Sequence, residues 1–483
     1  MSIFPIDPLR KAFLTLPKQP RQSDSEPIDI KNFYVPFNHA KALHSTNLLI
    51  EGGYGTGKTE WFLQLSKNVT HIAHIAPHAE LNNTHCSQGY GQVYSSNYPS
   101  KDSFTNLLKY NISPELIWKT IIAFIILDET EAFRDCNWND KINVYQDNTN
   151  RYELELRQRE QELSSQQKKH LILFDALNYA SDDWETLKKL LKGLFQAALT
   201  FRSFRAIHLK IFVRPDMLED NAIYSFTGGI KIMTNKLPLE WHRLELFNLL
   251  WQYLGNAAEG GEEFRNGCEQ HFKQVWKQLP DTNSWLIPDE MRKDETVQRA
   301  IFHALTGERM GNKPHSGYPY VWLPNHLEDS FGKISPCSFL TALHEAANSD
   351  ALQADQNYPL NALALKKGLQ KASEMQVATL NEKDYWINTL FKGKAISFPC
   401  EFSDINEVWQ HHDIRQTLRD IIESSDTIPP VNYVDPDFFY EGIKKYLISL
   451  GIFQQMLDGR INMPDIYRIG YGLGRKGGIK SVK

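Results

Sequence analysis

Residues 47–59 constrain this chain more than any others. Asn47-Leu48-Leu49-Ile50-Glu51 is a short apolar run, Gly52-Gly53-Tyr54-Gly55-Thr56-Gly57-Lys58-Thr59 follows at once, and TEWFLQLSKN continues with helical character. The eight residues match G-x-x-x-x-G-K-[ST], and strand before with helix after is the context this pattern requires. Glycines let the backbone turn successive N–H groups inward to cradle phosphate oxygens. The helix N-terminus adds a partial positive charge. The expected nucleotide site is therefore Gly52, Gly53, Tyr54, Gly55, Thr56, Gly57, Lys58, Thr59 and Glu60. Lys58 is expected on the β- and γ-phosphates of ATP and the Thr59 hydroxyl on Mg²⁺.

Such a loop needs a sheet around it. Val69–Ala76 reads as a second strand, LILFD (171–175) as a third and HLKIFV (208–213) as a fourth, with helical WETLKKLLKGLFQAALTF between the last two. Alternation of this kind predicts an α/β fold with a mostly parallel sheet flanked by helices. RYELELRQREQELSSQQKK (151–169) has helical propensity with little apolar face, so it reads as a solvated helix. Past about residue 236 strand signals nearly vanish and a helical lid is expected. The last fifty residues give a helix, DPDFFYEGIKKYLISLG, then IFQQMLDGRINM, a hairpin turning at Asp458-Gly459. The divisions expected are a flexible extension 1–32, a P-loop core 33–235, a lid 236–345, and a C-terminal α+β region 346–483 with a winged-helix-like module and basic tail.

The magnesium side of such a site takes an acid from the end of a neighbouring strand. IIAFIILDE offers Asp128 and Glu129 after an apolar run, but Ser113-Pro114-Glu115 is a good helix start, and the run can continue as one buried helix. LILFDALN offers Asp175 at the end of a short strand, at the right βαβ spacing before the fourth. Asp175 is preferred, since periodicity alone does not separate a buried strand from a buried helix. Arg214, in IFVRPDML at the end of the fourth strand, can sense the γ-phosphate; on chemistry alone, a surface arginine capping a sheet edge is an equal alternative.

GGYGTGKT, LILFDALN and KIFVRPDML, in this order, resemble the STAND and KAP-type branch of P-loop NTPases, relatives of the AAA+ ATPases. LPLEWHRLELFNLLWQYL is similar to the entry into their helical lid, and Ser335-Pro336-Cys337-Ser338-Phe339-Leu340 to the lid's S/N-P-R turn. The resemblance covers roughly residues 33–345 and implies an ATP-driven molecular switch in a bacterial setting such as phage defence or a mobile element. Two positions depart from it. Asn178 stands where a second acid is usual, and Cys337 where the lid turn carries arginine, so slow hydrolysis is implied. Asp182, Asp183 and Glu129 remain open as substitutes for the missing acid.

Composition adds boundaries. With 483 residues, 53 Lys plus Arg and 58 Asp plus Glu, the net charge of −5 leaves no whole-protein field for nucleic acid. Residues 460–483 nonetheless carry six basic side chains against Asp465, a segment suited to phosphate contacts with DNA. Five cysteines, at 86, 136, 268, 337 and 400, are widely spaced without CxxC, which points to free thiols and a cytoplasmic setting. The longest apolar run, Ile121–Leu127, is too short to span a bilayer, so no membrane partner is expected. His71, His74 and His78, near His85 and Cys86, do not converge if they alternate along a strand, so no metal is expected there. Trp241, Trp251, Trp276, Trp285 and Trp322 read as core anchors of the lid, and residues 317–324 as packing the lid against the core. A protein partner and homo-oligomerisation on nucleotide binding are further expectations. A DNA-remodelling or loader ATPase acting as an oligomer is the alternative function; a phosphotransferase and a binder without turnover stand behind it.

Overall fold

The computed structural model describes residues 3–18, 26–129, 133, 135–279, 283–311, 316–354, 357–424 and 439–476. Five parallel strands form one sheet: β1 (Leu49–Glu51), β2 (Thr84–Tyr90), β3 (Lys169–Phe174), β4 (Ile207–Val213) and β5 (Leu237–Pro238), in the order β2-β3-β4-β1-β5. The strand that feeds the glycine loop thus lies inside the sheet, with β4 between it and β3. Strands buried on both faces are apolar throughout, and alternate side chains enter two different cores. Ile50, Leu171, Leu173 and Phe212 pack on one face. Leu49, Ile172, Phe174, Ile211 and Val213 pack on the other.

Helix α1 (Ile6–Leu14) precedes the sheet but does not cover it. The first face is covered by α2 (Phe37–Leu43) and α3 (Lys58–Ile75). Between β2 and β3 run α4 (Lys101–Lys109), α5 (Pro114–Ile126), α6 (Trp138–Asp147) and α7 (Thr149–Ser165). Then α8 (Trp184–Phe201) crosses to β4 and α9 (Gly229–Thr234) precedes β5. The second face is covered chiefly by α5 and α8, which approach closely at Gly193, where a Cβ would lie 2.5 Å from Pro114. Helix α7 is mostly exposed, as its polar sequence predicts.

One strand expectation is corrected. Residues 69–76 are not the second strand: α3 continues to Ile75 through an irregular Asn68 (φ −127°, ψ 25°). The β-branched run there misled because the helix buries Ile72 and Ala73 against the sheet and so overrides propensity. The true β2, Thr-His-Cys-Ser-Gln-Gly-Tyr, is the sheet's edge strand, and its half-polar sequence gives no continuous apolar signal. IIAFII is α5, entered at Ser113 with Pro114 in its first turn.

Beyond β5 come α10 (Arg243–Asn256), α11 (Gly261–Phe272), the hairpin β6 (Lys277–Leu279) with β7 (Ser284–Leu286), α12 (Asp289–Lys293), α13 (Glu295–Thr306), α14 (Pro319–Leu327) and α15 (Pro336–Ala347). Next are α16 (Ala362–Lys383), α17 (Trp386–Phe391), β8 (Ser397–Phe398), α18 (Phe402–His411), α19 (Ile414–Ser424) and α20 (Phe439–Ser449). The chain then forms an antiparallel hairpin, β9 (Gln454–Gln455) with β10 (Ile461–Asn462), followed by α21 (Asp465–Gly470) and β11 (Gly474–Arg475), which pairs with β8. Helix α20 and this hairpin stand where the winged-helix-like module is expected.

One hydrophobic cluster runs through all of this, from Phe4 to Leu473, with Trp241, Trp251, Trp276 and Trp322 among its buried members. No break in packing falls between residues 345 and 346: that point lies inside α15, and α16 approaches so closely that a Cβ on Gly368 would lie 2.1 Å from the Ala342 carbonyl oxygen. Residues 317–324 pack within this helical part, against α13, α15, α16 and α21, rather than between lid and sheet. The flexible extension is also corrected. Phe4, Leu9, Ala12, Phe13 and Leu16 are buried in the same cluster, and Gly267 admits the Phe4 ring where a Cβ would lie 2.5 Å away. The Pro/Ser-rich stretch expected to be mobile lies largely outside the described residues.

Candidate nucleotide site

The glycine loop leaves β1 between two neighbours. Glu51 pairs with Val213 of β4 and Pro238 of β5, and the Gly52 N–H donates to the Val213 carbonyl at 3.0 Å. Gly55 (φ +69°) and Gly57 (φ +97°) take left-handed conformations that favour glycine. At Gly52 a Cβ would lie 2.4 Å from the Thr56 hydroxyl oxygen, so the loop closes only without one. Lys58 Nζ arches back and donates to the carbonyls of Gly52 (2.7 Å) and Gly53 (2.8 Å). Trp241, from the segment entering α10, donates its indole N–H to the Thr56 carbonyl at 2.9 Å. Ser335, the N-cap of α15, donates to the Gly55 carbonyl at 3.2 Å.

Above the loop is a cavity of about 340 Å³. Its polar wall holds Lys58, Thr59, Asp175 and Arg214; its apolar wall holds Ile28, Phe33, Tyr34, Trp241, Leu249 and Tyr253. Thr59 and Asp175 also share a recess with Gln92. Asp175 is buried where the chain leaves β3, and its N–H donates to the Tyr90 carbonyl of β2 at 3.1 Å. A hydroxyl and a buried carboxylate facing one recess are oxygen donors suited to Mg²⁺. A loop that closes only because Gly52 lacks a Cβ, next to a helix N-terminus, suits phosphate.

The rival acids lie elsewhere. Asp128 follows α5 and Glu129 pairs with Arg151 at 3.2 Å, and neither lines the cavity. Asp182 pairs with Lys101, and Asp183 accepts the Thr186 N–H at 2.8 Å to cap α8. Glu60 lines the cavity, and its Oε1 accepts the Ile28 N–H and the Gln64 amide, both at 2.9 Å, which ties the N-terminal segment to α3. Asn178 and Cys337 both line the cavity. His71 and His74 sit on α3 rather than on a strand.

Arg214 is where β4 ends, but its guanidinium is already engaged. Nε donates to Asp216 Oδ1 at 3.0 Å, Nη2 donates to Asp216 Oδ2, and Nη1 donates to the Tyr54 hydroxyl. Tyr54 in turn donates to Asp384 Oδ2 at 3.1 Å, and Tyr446 of α20 donates to Asp384 Oδ1 at 3.5 Å. Burial opposes the Arg214 charge, but Asp216, Tyr54 and Asp384 outweigh it and hold the guanidinium above its ordinary range. For Asp384 burial prevails over Arg214, and its carboxyl is raised. A second cavity of about 500 Å³ lies on the other side of this cluster, lined by Asp216, Lys236, Asp329, Lys333 and Tyr467. It holds neither Lys58 nor Asp175, so the smaller cavity is the one with phosphate chemistry. Sequence reading missed Asp216, Asp384 and the apolar wall, because no local pattern marks residues that meet only in the folded chain.

No family model and no curated protein sequence matches the chain. Among solved structures it is similar to the ORC2 protein of Aeropyrum pernix, determined as ADPNP–ADP complexes, over 96% of this chain and 98% of that one. The identity is 12% and the TM-score 0.29, a likeness too loose to carry an argument. The P-loop fold rests instead on the loop, its inner strand and the parallel sheet. No helix among the described residues is long and apolar enough to cross a membrane.

Proposed function

We propose that the protein binds ATP with Mg²⁺ in the cavity above the glycine loop, hydrolyses it slowly, and acts as a nucleotide-dependent switch on a partner. The observation that carries this reading is the meeting of Lys58, Thr59 and Asp175, from two separate strand ends, in one cavity. Lys58 would leave the loop carbonyls for the β- and γ-phosphates, while Thr59 and Asp175 would hold the metal. When bound, the metal would neutralise charge on the β- and γ-oxygens. The apolar wall would take the base. Arg214 would sense the γ-phosphate by exchanging Asp216 and Tyr54 for it, which makes the Tyr54–Asp384 contact the route from nucleotide to C-terminal region. A STAND/KAP-type switch suits this arrangement, and a setting in phage defence or a mobile element rests on that resemblance.

A second reading, a DNA-remodelling or loader ATPase working as an oligomer, is supported by the wing: Leu457 at the hairpin tip is fully exposed beside Arg460. One experiment addresses both. ATP binding, hydrolysis and molecular mass are measured with and without duplex DNA, in the wild type and in Lys58→Ala. The switch reading expects ATP binding lost in the variant and wild-type turnover indifferent to DNA; unchanged ATP affinity in Lys58→Ala would sink both readings. Stimulation by DNA together with nucleotide-dependent assembly would select the second.

A further inference from the structure

Resting on that ATPase reading, the missing acid can be sought by elimination. Among the described residues three carboxylates line the nucleotide cavity: Glu60, Asp175 and Glu382. Glu60 is committed to Ile28 and Gln64. Asp175 is buried at the exit of β3 beside Thr59 and is the metal's acid in the proposed site. The acids nearest in sequence to the Asp175 motif point away: Asp182 to Lys101, Asp183 to the start of α8.

Glu382 remains, and it comes from an unexpected place, the last turn of α16. It is exposed toward the cavity. Its position is fixed by the phosphate loop itself. Two residues on, Asp384 accepts the Tyr54 hydroxyl at 3.1 Å, and α15, packed along α16, holds Gly55 through Ser335 at 3.2 Å. A carboxylate in the last turn also faces the negative end of the helix dipole, a place that helix stability would give to a cation.

We infer that Glu382 is the general base of ATP hydrolysis. A water oxygen uses its lone pair to form the new bond to the γ-phosphorus. The bond to the β,γ-bridging oxygen breaks, and its electron pair leaves with ADP. The proton of the water passes to the Glu382 carboxylate and is returned to solvent when phosphate departs. The C-terminal region thereby supplies a reacting group to a site whose other parts belong to the sheet, and turnover requires α16 to be docked on the loop.

The test uses the full chain with Mg²⁺ and compares wild type, Glu382→Gln and Glu382→Asp for ATP binding, ADP binding, melting temperature and phosphate release. Loss of a general base lowers turnover by about 100-fold or more. Glu382→Gln should show that loss, melt as the wild type does, bind ADP as before, and retain unhydrolysed ATP through gel filtration. Glu382→Asp should recover part of the rate. Wild-type turnover in Glu382→Gln would overturn the inference and shift attention to Gln92 and Asn178. Equal losses of ATP affinity, ADP affinity and melting temperature would overturn it as well, since they mark a structural role. A wild type that binds ATP without turnover removes the base but not the site; one that binds no ATP removes the proposed function itself.

Discussion

His39 has no exposed surface, and both ring nitrogens are used: Nδ1 accepts the Trp61 indole N–H at 3.3 Å, and Nε2 meets the Glu240 carbonyl at 3.0 Å as donor. One neutral ring thus joins α2, α3 and the segment entering α10. Burial lowers its pKa from 6.5 to about 4. Between those values the unfolded chain binds a proton that the folded chain excludes, so stability falls as pH drops through the window. From pH 7 to pH 5 that amounts to about 2 kcal/mol. His39→Gln keeps a donor and an acceptor without the titration. Its loss of urea-unfolding free energy between pH 7 and 5 should be smaller than that of wild type by about that much. The same scale shows what sequence can carry. Gly52, Gly57, Lys58 and Thr59 are legible because phosphate chemistry fixes their types and spacing. Tyr54 occupies a free position of the motif, and its partners Arg214 and Asp384 lie 160 and 330 residues away. Nothing short of the fold could pair them.

At the scale of elements, legibility followed burial. Strands β1, β3 and β4 have neighbours on both sides and apolar contacts on both faces, so their sequences announce them; β2 has one strand neighbour, and its half-polar sequence carries no strand signal. Helix α5 was ambiguous for the opposite reason. It is buried all round, which erases the polar face that separates a helix from a strand. Helix α1 was hidden by the prolines around it, although Pro5 and Pro8 stand at its cap and first turn, where proline costs no hydrogen bond. Its contribution to the core can be measured. Phe13 is fully buried, and Phe13→Ala should cost about 3–5 kcal/mol in chemical denaturation. A truly mobile extension would lose nothing.

For the whole molecule, the contrast between an acidic body and a basic end shrinks in the folded chain. Arg468 is buried on Asp465 at 2.9 Å, Arg475 bonds both oxygens of the same carboxylate at 2.8 Å, and Arg460 pairs with Asp458 at 2.7 Å. Arg468 and Arg475 tie α21 and β11 together through one carboxylate, while Arg460 is an exposed pair within the hairpin turn; residues 477–483, with Lys480 and Lys483, lie outside the described residues. Removing residues 460–483 would take away Ile461, Met463, Ile466, Tyr467, Tyr471 and Leu473 from the core, and β11 from β8. That truncation should lower the melting temperature and open the region to proteolysis. The cluster of Tyr54, Arg214, Asp216, Asp384 and Tyr446 gives this integration a thermodynamic meaning. Its members are shared property: a hydroxyl of the phosphate loop and a carboxylate at the end of α16 satisfy each other. In the proposed switch, whatever nucleotide does to the affinity of the C-terminal region for a partner, the partner would do, by the same factor, to the affinity for nucleotide. Neither end of the chain would then be the input alone; each would also be the other's readout.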